Sequence, residues 1–166
     1  MGERYTVISD MKLEYEGIVN VNELFRVTDK WFREKGYDKY EKFNVEQHFK
    51  DSSEIEMEWE PWKKVTDYTI GFMKIKFLFS DIKDVTVVKD GVKVKMQEAK
   101  IQINFESYLG TDWEHKWDKH YIAAFIRTIF DKFFYRKYLE KYMGIVHDDT
   151  YHLYTMVQSY LNVVRP

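Results

Sequence analysis

Tyr68-Thr69-Ile70-Gly71-Phe72-Met73-Lys74-Ile75-Lys76-Phe77-Leu78-Phe79 is the longest β pattern in the sequence. Aromatic and β-branched side chains dominate it, and no Pro interrupts it. Its apolar positions change parity, from Tyr68, Ile70 and Phe72 to Met73, Ile75, Phe77 and Phe79, and Gly71 stands at the change. A bulge or bend at Gly71 is expected, which would let one strand serve a strongly curved sheet.

Shorter β patterns flank this run. Downstream, Val85 and Val87 lead to Lys89-Asp90-Gly91, a hairpin signal, and Val92, Val94 and Met96 return with Lys93 and Lys95 outward. Ile101, Ile103 and Phe105 then alternate with Lys100, Gln102, Asn104 and Glu106. Upstream, Ile55, Met57 and Trp59 oppose Glu54, Glu56, Glu58 and Glu60, and Pro61, which lacks a ladder donor, closes that strand. Before it, Phe43, Val45, Gln47 and Phe49 alternate as far as the turn signal Asp51-Ser52-Ser53. A first strand runs from Leu13 to Val19, and residues 1–10 read as a loose extension or an edge strand made by Tyr5, Val7 and Ile8. Between that strand and Phe43 lies a helix. Asn20 with Glu23 forms a capping box, Val21, Leu24, Phe25, Thr28, Trp31 and Phe32 recur at helical spacing, and Gly36 supplies the stop.

From about Asp118 the pattern is helical. Ile122, Phe125, Ile126, Ile129, Phe130 and Phe133 share one face; beyond Phe133, Tyr135, Tyr138, Leu139 and Tyr142 make a new stripe on the far side. Gly144 is expected to end this helix, and Asp148 or Asp149 to cap another carrying Leu153, Met156, Val157, Tyr160 and Leu161. The expected fold is α+β, a curved antiparallel sheet of about six to seven strands wrapping a long C-terminal helix, with an additional C-terminal helix. The expected organisation is an extension at 1–10, an α+β domain at 11–143 and a helical appendage at 144–166.

Composition agrees with one folded domain. The 166 residues are 45% hydrophobic and 33% charged, enough for a core and for a charged surface. Lys+Arg 26 against Asp+Glu 28 leaves a net charge of −2, so no global basic field announces nucleic acid. The absence of Cys removes disulfides, thiolate catalysis and cysteine-ligated metals. No apolar run approaches the ~20 residues that span a bilayer, and the opening lacks a signal-peptide core, so a soluble, cytoplasmic protein is expected. Met1-Gly2-Glu3-Arg4-Tyr5-Thr6 fits the short N-myristoylation pattern.

A strand, a helical insertion, an antiparallel meander and a long C-terminal helix resemble, in that order, the helix-grip fold of the START and Bet v 1-like superfamily, over about residues 11–143. The resemblance is topological. It implies a sheet and helix enclosing an apolar cavity that takes lipids, sterols or other hydrophobic molecules. The segment Tyr68–Asp81 with Ile126-Arg127-Thr128 also resembles short archaeal proteins of no assigned activity.

The residues expected to line such a cavity are Phe43, Met57, Trp59, Met73, Phe77, Phe79, Met96, Phe105, Phe125, Ile129 and Phe133, with Phe49 also on the expected inner face. Flat and flexible side chains can line a void; the plain alternative is that they pack one another. Glu54, Glu56, Glu58 and Glu60 opposite Lys74, Lys76, Lys93, Lys95 and Lys100 read as a solvated outer face with cross-strand charge pairs. Asp112, Glu114, His115 and His120 are capable of metal binding or proton transfer. His115 and His120, however, stand about 140° apart on a helix, as do His147 and His152, so neither pair aims at one ion. No Gly-x-Ser-x-Gly, phosphate-binding Gly loop or His-Glu-x-x-His is present, so neither enzymatic activity nor a cofactor is expected.

Three functions follow as expectations. The first is non-catalytic binding of a hydrophobic small molecule or lipid. The alternative is a protein-interaction or homodimerisation module with a filled core, contacting its partner through Tyr135, Tyr138 and Tyr142. The third is an RNA-associated protein using the hairpin lysines Lys83, Lys89, Lys93, Lys95 and Lys100, which the scarcity of Arg disfavours.

Overall fold

The structure, a computed structural model, describes residues 4–111 and 135–164. The elements in chain order are β1 (Arg4–Val19), α1 (Val21–Lys35), β2 (Glu41–His48), β3 (Ser53–Trp59), β4 (Trp62–Lys64), β5 (Thr69–Lys89), β6 (Val92–Thr111) and α2 (Tyr135–Val164). The protein is α+β. Six strands form one antiparallel sheet in the order β1-β6-β5-β3-β2, and β4 pairs with the start of β5. Residues 4–10 belong to β1, with register shifts between Thr6 and Met11. The expected helix at 118–133 lies outside the described residues.

Helix α1 forms as its sequence dictates. The Asn20 side chain accepts from the Glu23 amide at 3.0 Å, and Gly36, at φ 77°, closes the helix while the Tyr37 amide donates to the Phe32 carbonyl. Its buried face is Val21, Leu24, Thr28, Trp31 and Phe32.

Gly71 makes no bulge. The β5–β6 register passes from Ile70↔Gly110 through Gly71↔Leu109 to Phe72↔Tyr108 without a shift. Odd-numbered residues from Thr69 to Phe79 therefore face the core throughout, and Ile70, Phe72 and Leu78 are apolar residues of the other face. Gly71 has a packing reason instead: a Cβ built there would stand 2.6 Å from Val146 Cγ2 of α2. The extra residue lies further on, between Ser80 and Lys83, where Asp81 adopts φ 52°.

Helix α2 also departs from expectation. It runs unbroken through Gly144, and neither Asp148 nor Asp149 begins a new helix. Buried Leu139, Val146, Thr150, Leu153, Val157 and Leu161 recur at helical spacing on both sides of Gly144, so tertiary burial outweighs the ~1 kcal/mol propensity cost of one glycine. Leu153, Val157 and Leu161 join the main core, with Leu13, Tyr15, Met57, Trp59, Met73, Ile75, Phe77, Phe79, Ile101, Ile103 and Phe105 from the sheet and Leu24, Trp31 and Phe32 from α1. Leu109, Leu139 and Val146 make a second, smaller cluster.

The two glycines should respond oppositely to alanine in urea denaturation. Gly71→Ala should cost about 1–3 kcal/mol through overpacking, and Val146→Ala should relieve part of that loss. Gly144→Ala, which meets nothing within 4 Å, should stabilise by about 0.5–1 kcal/mol.

Candidate functional site

The core face is filled where it is described. Met57, Trp59, Met73, Phe77, Phe79 and Phe105 are each at most 3% exposed. Trp59 and Phe77 meet edge to face at 5.0 Å, and Phe25 caps Trp59, Phe77 and Phe79 at 5.2–5.6 Å, spacings at which aromatic rings are in contact. Tyr154 of α2 packs edge to face on Phe105. These rings pack one another between the sheet, α1 and α2.

Two residues expected in the cavity lie elsewhere. Phe43 pairs with Glu58, and Asn44 with Met57, so Phe43 is on the face turned away from the core, here termed the outer face. Met96 stands one position off the side that Gln97 shares with the buried Ala99 and Ile101, and likewise falls on the outer side. Phe49 is 56% exposed in the β2–β3 turn. Phe125, Ile129 and Phe133, together with Asp112, Glu114, His115 and His120, lie outside the described residues.

The expected interface stripe is turned inward in part. Tyr138 hydroxyl lies 2.8 Å from Thr66 Oγ1, and its ring is 6.4 Å from Tyr68 and 4.6 Å from Tyr142. Tyr138 and Tyr142 are half-buried, and the Tyr135 side chain is outside the described set. Among the described residues no group of three or more His, Asp or Glu could hold a metal, and no helix is long and apolar enough to cross a membrane.

The outer face carries a row of neighbouring hollows, here termed the trough. A hollow of about 210 Å³ is lined by Phe43, Glu56, Lys76, Leu78, Gln102 and Asn104. Leu78 and Gln102 also line the next hollow, about 420 Å³, with Glu14, Glu16, Ser80 and Lys100. Glu16 and Lys100 in turn line a third, about 320 Å³, with Asp81, Lys83 and Glu98. The register explains the composition: Val45↔Glu56, Glu56↔Leu78, Leu78↔Gln102 and Gln102↔Glu14 set one cross-strand row in which apolar, acidic and polar side chains alternate. Val45 is 47% exposed. Asn104 Oδ1 is buried without a hydrogen-bond partner among the described residues. Glu58 is not the solvated residue its sequence position implies. Its side chain is 4% exposed, with Oε1 3.6 Å from Lys42 Nζ.

The trough ends at an arm. The last pairing of β1 with β6 is Val19↔Gln97, and that of β3 with β5 is Ser53↔Ile82, whereas β5 and β6 pair on from Val85↔Met96 to Lys89↔Val92. Five residue pairs thus project as a two-stranded ribbon, roughly 15–20 Å long at strand rise. Val85, Val87, Val92, Val94 and Met96 share one side of it with Lys89, and Thr86, Val88, Lys93 and Lys95 the other. Val88 and Val92 are 67% and 62% exposed. Val94 and Met96 are therefore not core residues, contrary to the alternation that the hairpin suggested.

A separate polar cluster fixes α2. Tyr37 hydroxyl and Lys63 Nζ both donate to Asp149 Oδ2 at 2.8 Å, and the Lys63 ammonium stands 4.7 Å over the Tyr37 ring. Trp31 stacks on Tyr37 and donates its Nε1–H to His152 Nδ1 at 2.9 Å. The end of α1, β4 and α2 are joined there. Burial, reinforced by the Asp149 carboxylate, pushes the Tyr37 phenol well above its ordinary value.

No protein-family model and no curated protein matches the sequence. The trough was not anticipated as a site; the arm carries Lys83, Lys89, Lys93 and Lys95 of the hairpin weighed from sequence as an RNA contact. The signal for the trough was present in Leu78, an apolar residue on the second face of a strand whose first face already holds Met73, Ile75, Phe77 and Phe79.

Neighbouring residues should separate the two faces. Phe77→Ala should cost about 3–5 kcal/mol in denaturant unfolding, and Leu78→Ala about 1 kcal/mol or less. The Tyr37 phenol predicts a pH effect of defined sign. A raised folded-state value leaves its stabilisation whole below the unfolded value of about 10 and removes it as pH climbs further. Urea midpoints should fall above about pH 10, and Tyr37→Phe should flatten part of that fall.

Proposed function

We propose that this domain is a non-catalytic protein-binding module that engages its partner through the outer-face trough and the arm. The observation that carries the reading is the division of apolar surface between the two faces. On one side the rings of Phe25, Trp59, Phe77 and Phe79 interlock. On the other, Phe43, Val45 and Leu78 line or flank an open trough edged by Glu14, Glu16, Glu56, Lys76 and Lys100. An apolar patch at Phe43, Val45 and Leu78 beside charges of both signs suits a peptide segment that is apolar at one end and charged and polar along the rest. The buried acceptor Asn104 Oδ1 adds a fixed preference for a donor at the floor, because leaving it unpaired in a dry interface costs about 1–3 kcal/mol.

Selection of displayed peptides on the purified protein tests this. Recovered peptides should bind competitively with one another and lose binding to Val45→Asp and Leu78→Asp variants whose circular dichroism is unchanged. Peptides that bind those variants equally well would overturn the reading. So would a lipid or sterol that copurifies in native mass spectrometry and raises the melting temperature, which would restore the guest-binding alternative.

A further inference from the structure

The two edges of the sheet are finished differently. β1 and β2 are its outermost strands, so each keeps one set of main-chain groups that no described strand bonds. On β1, side chains take up part of that set. The Tyr15 hydroxyl donates to the Ile18 carbonyl at 2.7 Å, the Tyr154 hydroxyl stands 3.5 Å from the Lys12 carbonyl, and Tyr154, Gln158 and Leu161 of α2 line the hollow beside Leu13 and Glu14. Among the described residues, no side chain or strand bonds the free edge of β2. The phase of the β2 ladder follows from its turn, where the Phe49 amide donates to the Ser52 carbonyl at 2.8 Å. Antiparallel pairs alternate between bonded and non-bonded. Gln47, Val45 and Phe43 therefore bond to Glu54, Glu56 and Glu58 of β3, and the N–H and C=O groups of Asn44, Glu46 and His48 point away from the sheet.

This open edge is apolar on one side. Every residue of β2 except Phe43 is exposed, and Tyr40, Val45 and Phe49, which lie along it or just beyond its ends, are exposed large apolar side chains. Phe43 and Val45 turn to the outer face, and Asn44, Glu46 and His48 to the other. An exposed edge of this kind templates a further strand, with main-chain bonds supplying affinity and alternate side chains supplying specificity. Charge selects the occupant. The β2–β3 pair, residues 41–60, carries seven carboxylates against two lysines. A second copy pairing β2 with β2 would set two such acidic hairpins side by side, whereas a cationic segment is drawn to one.

We propose that the partner protein contributes an extended segment of alternating apolar and basic residues, which adds to the free edge of β2 as a further strand. Its main chain meets the outward groups of Asn44, Glu46 and His48. The side chains that fall beside Phe43 and Val45 are apolar and continue the outer face. Those of the opposite parity fall beside Asn44, Glu46 and His48, where a lysine or arginine meets the Glu46 carboxylate, half exposed and 3.5 Å from the His48 ring. This inference rests on the outer-face reading above and states how the segment is held.

The probe is a decapeptide alternating valine with lysine, and its control is a decapeptide of the same composition with the valines in one block and the lysines in another. On the wild-type full chain the alternating probe should bind about tenfold or more tightly than the block control and weaken with added salt. It should also slow amide hydrogen exchange about tenfold or more at Asn44, Glu46 and His48, a readout needing no variant. Asn44→Pro removes an outward donor and leaves the bonds to β3 in place, as edge strands allow; with circular dichroism unchanged it should weaken the probe about tenfold, and Glu46→Lys should do the same. Equal binding of the two decapeptides, no binding of the alternating one, or binding that leaves those three amides unprotected overturns the proposal, as does an Asn44→Pro chain that folds and binds like the wild type. A dimer in sedimentation velocity that protects the same amides without peptide assigns the edge to a second copy and overturns it as well. Displayed peptides that need Val45 and Leu78 yet protect none of these amides overturn only strand addition and leave the outer-face reading in place; the absence of any peptide that needs Val45 and Leu78 overturns both.

Discussion

Backbone pairing between β5 and β6 runs from Thr69↔Thr111 to Lys89↔Val92, and every other element takes its place from that ladder. β1 extends it on the β6 side, while β3 and β4 extend it on the β5 side. Because successive side chains alternate across a strand, fixing this one register fixes which residues are core and which are surface across the sheet. Met57, Phe77, Ile103 and Leu13 fall into one row on the core side by this rule alone. One position away, Glu56, Leu78, Gln102 and Glu14 form one row on the outer side.

The single extra residue on β5 between Ser80 and Lys83 divides the ladder into two functional parts. Asp81 adopts φ 52° there, a conformation that Asp tolerates better than most residues because its short polar side chain can bond locally. The shift turns Ile82 to the core side, where it packs at the margin of the main cluster. Beyond Ile82 no helix and no third strand are described against the ribbon, so burial no longer sorts its side chains. Four valines end on one side with Lys89, and Lys93 and Lys95 on the other with Val88. The physical character of the arm, a basic ribbon with an apolar side, follows from the ladder outlasting its neighbours.

The helices decide what remains open. α1 covers β3 and β5 with Phe25 and Phe32, and α2 covers β1 and β6 with Leu153, Val157 and Leu161. The Tyr37, Lys63 and Asp149 cluster then ties both helices to β4. With the described core side packed by interlocked rings, the sheet presents apolar side chains on its outer face and along the arm.

Local patterns sufficed for much of this architecture. Asn20, Glu23 and Gly36 delimit α1 because capping satisfies backbone groups within a few residues of the cap, and the alternation of Ile55, Met57 and Trp59 marks β3 because its period is local as well. The α+β class and the antiparallel order followed from such signals. Other features depend on partners far away in sequence. Gly71 looks like a bulge until Val146 fills the space beside it, and Gly144 looks like a stop until one buried stripe runs past it on both sides. Phe43 and Met96 look like core residues until their registers are set by Glu58 and Val85, since an apolar residue in a strand carries no mark of which face will be covered. The sequence by itself determined the elements and their alternation. Only the tertiary structure decided which side of the sheet was buried and where the ladder ran out, because those depend on packing between segments that no local period encodes.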